Sequence, residues 1–406
     1  MEPAACARTA QPRVAFFSDC YHEVNGVSLT YRQLERFIRA REIPFFMVRA
    51  SAPGSVPQRN DGVFEIKRSR AAVPLDSDFS FDLMFARHHR QIRDAVREFE
   101  PEVVHITGPG DIGILGAWIA AELKIPLAIS WHTNLHEFAA RRLARLGFGG
   151  LAGIAEKVVL AAAVRFYRIG RVLFAPNPDL LSMLRSRTGR PAYLMSRGVD
   201  TNMFSPAKRT RTDASFTFGY VGRLTPEKNV RQLARLSSML DGEFRFLILG
   251  DGGERNWLAA NVAKAELPGV LRGEDLARAY ANMDAFLFPS HTDTFGNVVL
   301  EAMASGVAAV VTSDGGPKFL VENGITGYVA QNDDEWLRLA AELYRNREAA
   351  RAMSIAAREQ AFTYSWDAVF QRLFEAYSHI LSEHAGCNPL SRYGANAAPG
   401  RMRALY

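Results

Sequence analysis

The stretch Pro289–Gly306, PSHTDTFGNVVLEAMASG, constrains the fold more than any other part of the chain. An apolar run, Ala285–Phe288, leads into it, and Val298–Ala304 reads as the first turns of a helix after a loop of small and polar residues. A strand running through a loop into a helix N-terminus presents backbone N–H groups that have no partner inside the helix, and these attract anions. Phe295, Gly296, Asn297 and Val298 stand where those groups should point, and Gly296 lets a ligand approach the main chain closely. Asp293 and Glu301 flank the turn. A carboxylate aimed at a phosphate would repel it, so these two are expected to accept hydrogen bonds from hydroxyls. A ligand with phosphate in its middle and hydroxyl-rich ends, such as a sugar nucleotide, meets both requirements.

The same alternation recurs along the chain. Short apolar runs at Arg13–Asp19, Phe45–Val48, Val63–Ile66, Val103–Ile106, Leu127–Ser130 and Val172–Ala175 read as strands. A second series follows at Phe216–Val221, Phe244–Leu249 and Ala308–Val311. Such runs read as buried parallel strands, so the expected class is α/β. At 406 residues the chain suits two domains of about 200 residues each.

The net charge of +6 is concentrated. Between Ala139 and Arg171 stand Arg141, Arg142, Arg145, Lys157, Arg165, Arg168 and Arg171, opposed only by Glu156, so this segment carries the whole net charge. Interleaved leucines, valines and aromatics make it amphipathic. It is a candidate surface for an anionic membrane, with Arg141, Arg142 and Arg145 also candidates for contact with an acceptor. A solvated helix face is nearly as good a reading. Nucleic acid ranks last, because the aromatics are few and sit among apolar neighbours. The cysteines Cys6, Cys20 and Cys387 form no framework, and neither a signal core nor a membrane-spanning run is present. The expected location is cytoplasmic, soluble or peripheral on the inner face of the cell membrane.

Two motifs offer other chemistry. Asp76-Ser77-Asp78 has the spacing of a metal-binding pair but reads better as a solvated loop with a helix cap, so no catalytic metal is expected. Gly108-Pro109-Gly110-Asp111-Ile112-Gly113 matches Gly-x-Gly-x-x-Gly after a strand and supports a rival reading, a NAD(P)-dependent oxidoreductase. Against it, the next strand ends in Trp131-His132-Thr133, with no carboxylate for a ribose. A third reading is a non-enzymatic basic protein coating a membrane surface.

Asp293 and Glu301, separated by seven residues and followed by Ala302-Met303-Ala304-Ser305-Gly306, resemble the acidic-x7-Glu signature of the family 4 glycosyltransferases. The family usually has Glu where Asp293 stands. Gly222-Arg223-Leu224-Thr225-Pro226-Glu227-Lys228 resembles its Gly-Arg-Leu-x-x-x-Lys segment, and Arg197-Gly198-Val199-Asp200 its segment joining two halves. The closest resemblance is to the branch with sulfoquinovosyl-diacylglycerol synthases and GDP-mannose-dependent mannosyltransferases.

The resemblance implies a GT-B fold, two Rossmann-like domains facing across a cleft. Residues 12–200 would bind the acceptor and 201–364 the nucleotide sugar. A helix over 365–381 would pack back on the first domain. Separately, 385–406, rich in Ala, Gly, Asn and Arg without periodicity, reads as a disordered tail. The resemblance also implies a retaining hexosyltransferase that needs no metal or other cofactor and moves a hexose from GDP-mannose or a UDP-sugar to a lipid or glycan hydroxyl. Arg223 and Lys228 would bind the diphosphate, Asp293 and His132 would orient the sugar, and Glu301 would bind the ribose. Gly222, Gly250 and residues 295–298 would line the donor, with Gly26 close by. Asn25 and Arg197 would face the cleft.

Overall fold

The computed structural model describes residues 11–22, 26–52, 54–60, 62–76, 79–131, 149–293 and 295–384. They form two compact units. One is built from the chain up to Phe174 with Leu184–Tyr193 and the chain from Gln371, the other from Ala175–Met183 and Leu194–Phe370.

The first unit centres on β1 (Val14–Ser18), whose five residues are all buried, as a strand covered on both faces requires. Its sheet contains β2 (Phe45–Ala50), β3 (Arg59–Asn60) and β4 (Val63–Ile66). A separate antiparallel ribbon joins β5 (Ala72–Asp76) to β6 (Phe79–Asp82). The main sheet continues with β7 (Val103–Ile106), β8 (Leu127–Ser130), β9 (Val172–Ala175) and β10 (Ala192–Leu194). Its order is β10-β9-β8-β7-β1-β2-β4-β3, with β1 parallel to both β2 and β7. The ribbon corrects one expectation: Asp76 ends a strand instead of lying in a loop that caps a helix. The ribbon is closed from β6, where Asp82 accepts hydrogen bonds from the Ser69 amide (2.7 Å) and from Arg87 (2.9 Å).

Helices α1 (Gly26–Ala40), α2 (His89–Phe99), α3 (Asp111–Leu123), α4 (Gly149–Tyr167) and α5 (Pro178–Thr188) connect these strands. The buried imidazole of His105 on β7 bonds the Tyr377 hydroxyl on one side and the Ser130 hydroxyl (2.6 Å) on the other. A buried ring with both nitrogens satisfied is a structural histidine.

The second unit holds β11 (Phe216–Val221), β12 (Phe244–Leu249), β13 (Ala265–Gly269), β14 (Ala285–Phe288), β15 (Ala308–Thr312) and β16 (Gly327–Ala330), all parallel to their neighbours. Their order, β13-β12-β11-β14-β15-β16, is the doubly wound order with its reversal between β11 and β14. The helices are α6 (Gln232–Met239), α7 (Arg255–Asn261), α8 (Gly273–Ala281), α9 (Asn297–Ala304), α10 (Asp333–Arg345), α11 (Arg347–Phe362) and α12 (Trp366–His384), the last running on into the first unit. Helix α10 starts where Asn332 accepts the Glu335 amide, and three acidic residues follow in its first turn, matching the helix dipole. Pro226, a residue that suits the first turn of a helix, opens only a 3-10 turn, Pro226–Lys228, because Asn229 adopts a left-handed conformation (φ +54°) and ends it.

Candidate active site

In a doubly wound sheet, ligands bind beyond the carboxyl ends of the strands, where the strand order reverses. In the second unit that place is fixed by the loops after β11 and β14. The first supplies Gly222–Lys228, the second Pro289–Gly296, the two stretches the sequence singled out. Lys228 reaches across from one loop to the other, its ammonium 2.8 and 2.7 Å from the two carboxylate oxygens of Asp293. The Lys228 side chain is 12% exposed and that of Asp293 24%, so the pair is only partly screened by water.

Gly296 precedes α9 with φ +91°, a left-handed conformation that other residues rarely adopt, and a Cβ there would lie 2.9 Å from the Pro317 ring. The amides of Gly296, Asn297 and Val298 donate to no acceptor among the described residues; the first helical bonds come from Val299 and Leu300 to the Gly296 carbonyl. The Asn297 side-chain oxygen is buried without a partner there. Phe295 is buried in the core beneath. The Asp293 backbone carbonyl is tied to the Gly316 amide (2.7 Å), which fixes this loop against the one after β15.

Glu301 accepts a hydrogen bond from the Tyr280 hydroxyl (2.9 Å). Burial pushes the Glu301 carboxyl up to about 7, a shift that Tyr280's hydrogen bond opposes. Burial also raises Tyr280 well above its ordinary value, so it stays a donor. The Glu301 carboxyl therefore titrates near neutral pH, with the Tyr280 hydroxyl as its hydrogen-bond donor among the described residues.

Arg223 differs from Lys228. Its side chain is 70% exposed and its ion-pair partner is Glu227, 3.7 Å away. The Arg223 carbonyl is held by the Tyr220 hydroxyl (3.0 Å), so the backbone is fixed while the guanidinium lies in solvent. Gly250 follows β12 with its Cα against the Gly222 carbonyl; a Cβ would lie 1.9 Å from that oxygen.

Sequence reasoning missed His291 and Tyr280. His291 bonds Asp314 (2.8 Å) and Asp333 (3.1 Å), and Asn229, next to Lys228, donates to Asp333 (3.2 Å). This network links the loops after β11, β14 and β15 to the start of α10. His291 sits inside the PSHTD run, so its position was visible, but its partners were not. Gly26 opens α1 and its carbonyl accepts from Thr30 (2.9 Å); Arg197 is half-buried after β10. His132, Asn25, Arg141, Arg142, Arg145 and the tail 385–406 lie outside the described residues.

The first unit has the corresponding reversal between β1 and β7, and there the helix N-terminus is already filled. The Asp19 carboxylate, at the end of β1, accepts the amides of Ile112 (3.1 Å) and Gly113 (3.0 Å) at the start of α3. A Cβ on Gly110 would lie 2.3 Å from Asp19 Oδ1, so this glycine makes room for the carboxyl, while a Cβ on Gly113 would lie 1.9 Å from the Gly108 carbonyl and the turn itself requires a glycine there. The place where a dinucleotide would set its pyrophosphate is occupied by the protein's own carboxylate. That removes the physical basis of the oxidoreductase reading. Among the described residues, no helix is long and apolar enough to cross a membrane.

Residues 24–203 match the family model described as Glycosyltransferase Family 4, and residues 204–360 the one described as Glycosyl transferases group 1. The chain is 30% identical over 322 residues to the GDP-mannose-dependent alpha-mannosyltransferase of Corynebacterium glutamicum, covering 77% of this chain and 75% of that protein. It is 29% identical over 312 residues to the sulfoquinovosyl transferase SQD2 of Arabidopsis thaliana, covering 72% of this chain and 59% of that protein. Among solved structures, Anabaena HepE in complex with UDP-glucose superposes with a TM-score of 0.64 at 16% identity, covering 90% of this chain and 99% of that one. The fold is accordingly GT-B, an α/β architecture of two Rossmann-like domains.

Proposed function

We propose a specific reaction for this chain, which belongs to Glycosyltransferase Family 4: transfer of a hexose from a nucleotide-diphosphate sugar to a hydroxyl of a lipid or glycan, with retention at the anomeric carbon. GDP-mannose is the favoured donor, on the strength of the mannosyltransferase relatives, and a UDP-sugar is second. The observation that carries this reading is the unclaimed row of amides at residues 296–298 beside the Lys228–Asp293 pair. Neutral donors and one cation suit a diphosphate, and the flanking carboxylates suit hydroxyls at both of its ends.

In this reading the donor's anomeric C–O bond breaks, and the electron pair leaves with the diphosphate. The acceptor oxygen forms the new bond on the same face and passes its proton to a diphosphate oxygen. Lys228 and the amides stabilise the leaving charge, and Glu301 accepts from the ribose hydroxyls. Asp293 and His132 orient the hexose, and no metal takes part. Residues 12–200 hold the acceptor and 201–364 the donor.

The proposal extends to a cytoplasmic enzyme resting on the inner membrane face. Supporting it, α4 and the turn after it expose Val158 and Ile169 among Lys157, Arg165 and Arg168. Thermal melting of the full chain with GDP, UDP and NAD tests the donor: GDP should raise the midpoint most. If neither nucleoside diphosphate does so, the reading fails. Co-sedimentation with vesicles should increase with anionic lipid; binding indifferent to lipid charge would remove the membrane part.

A further inference from the structure

The second unit carries another cavity, at the opposite end of its strands from the site above. It has a volume of about 490 Å³ and lies where Phe216 begins β11 and Asp284 precedes β14. A six-residue strand spans about 20 Å, so the two places are well separated. The cavity is lined by Arg209, Arg211, Arg347 and Arg351, against two carboxylates, Asp213 and Asp284.

Those carboxylates are already engaged. Asp284 takes Arg209 (2.9 Å) and Arg211 (2.6 Å), and Asp213 takes Arg245 (2.6 Å). Arg347 donates only to the Ala214 carbonyl (2.8 Å), and Arg351 has no hydrogen bond or ion pair among the described residues. Although the Arg211 side chain is only 10% exposed, its Nε has no hydrogen-bond partner there; the nearest carboxylate oxygen, on Asp213, is 3.8 Å away.

Arg347 is the first residue of α11 and Arg351 lies one turn on. Two cations at i and i+4 repel, and the N-terminal end of a helix favours anions over cations. The helix start is itself provided for, with Asn346 capping it and Glu348 in its first turn, but neither is paired with Arg351 among the described residues, so the two guanidinium groups leave uncompensated positive charge at the cavity. Apolar surface completes the wall: Phe216 is buried, and Ile355 is 64% exposed at the cavity. An isoleucine so exposed suits a ligand with a carbon skeleton.

We propose that this cavity binds the phosphate of a small phosphorylated molecule, with Arg347 and Arg351 as its principal donors and Arg211 Nε beneath. A phosphate ester in solution and a lipid headgroup share this chemistry. Two probes separate them: glycerol 3-phosphate in calorimetric titration, and phosphatidylglycerol vesicles in co-sedimentation, both with the full chain.

Arg351→Ala removes an exposed side chain that has no bond to lose, so the variant should fold and keep basal glycosyl transfer. It should weaken binding of whichever probe the native chain takes by about tenfold, as expected for a lost charge-assisted hydrogen bond. Lys228→Ala, which alters the donor site, should leave that binding unchanged. Loss of glycerol 3-phosphate binding in Arg351→Ala supports a soluble ligand, and loss of vesicle binding alone supports a lipid. The proposal is overturned if neither probe binds, if Arg351→Ala binds as the native chain does, or if only Lys228→Ala weakens binding.

Discussion

The Lys228 ammonium lies within 2.8 Å of both oxygens of the Asp293 carboxylate, joining the loops that follow the two strands flanking the sheet's reversal. The cation is thus held in place before any ligand arrives. A diphosphate entering beside Gly296 meets an already oriented donor, which reduces reorganisation in the transition state.

Lys228→Ala should therefore lower kcat by roughly 10²–10³-fold, the usual cost of removing one donor to a developing oxyanion. Its melting temperature should fall as well, because Asp293, only 24% exposed, loses its cation, but the chain should remain folded at the assay temperature, so the loss of turnover cannot be laid to unfolding. Steady-state kinetics and calorimetry on the same preparation check both. Near-native turnover would remove Lys228 from the reaction.

Gly296→Ala forces a side chain into a left-handed backbone conformation and against the Pro317 ring. The conformational cost alone is about 1–2 kcal/mol. Because the same shift moves the amides of Asn297 and Val298, nucleoside diphosphate affinity should fall by about tenfold or more. A variant that melts lower but binds GDP normally would show that these amides do not hold the ligand.

Glu301 gives a pH signature. Its carboxyl is raised to about 7 in the folded chain, so the neutral form is favoured there. Its contribution to stability is therefore complete below the unfolded value of about 4.3 and is lost as pH rises towards 7. Donor binding runs the other way, because the ionised form is the better acceptor for ribose hydroxyls. Affinity should rise by about tenfold per pH unit up to about pH 7 and then level off, following the ionised fraction. Glu301→Gln should bind more weakly and lose this dependence; titrations at pH 5.5, 6.5 and 8 decide it.

Asp19 is likewise raised to about 7, by burial first and by the nearby Asp111 second. Its effect on stability has the same sign, largest below about pH 4 and gone above about 7. Asp19→Asn keeps an acceptor for Ile112 and Gly113 and removes the titration, so it should gain stability over the native chain at pH 8 more than at pH 5. Asp19→Ala strands two buried amides and should cost about 1–3 kcal/mol. Denaturant melts at the two pH values measure both.

How far the sequence could be read depended on how local the cause was. The strands Val63–Ile66, Val103–Ile106, Leu127–Ser130, Val172–Ala175, Phe216–Val221, Phe244–Leu249 and Ala285–Phe288 appear with the boundaries their apolar runs predict. The glycine-led start of α9 was likewise written in a few adjacent residues. The ribbon from Ala72 to Asp82 was missed, because its strands are stabilised by each other and by Ser69 and Arg87, and the turn residues alone pointed to a loop. The pairing of Lys228 with Asp293 spans 65 residues, and no spacing rule joins them. Tyr280 and Glu301, 21 residues apart on different helices, were hidden from each other for the same reason. Asp19 looked like the last residue of a strand, and only the folded chain brings it onto the amides that follow Gly110.

The two units therefore treat equivalent geometry in contrary fashion. One has sealed its helix entrance with a carboxyl group of its own; the other has left the entrance open and stationed a lysine at its edge. Anyone wishing to graft a phosphate-binding station onto the first unit would have to evict Asp19 first, and would find the vacated turn at Gly110 with room for the newcomer.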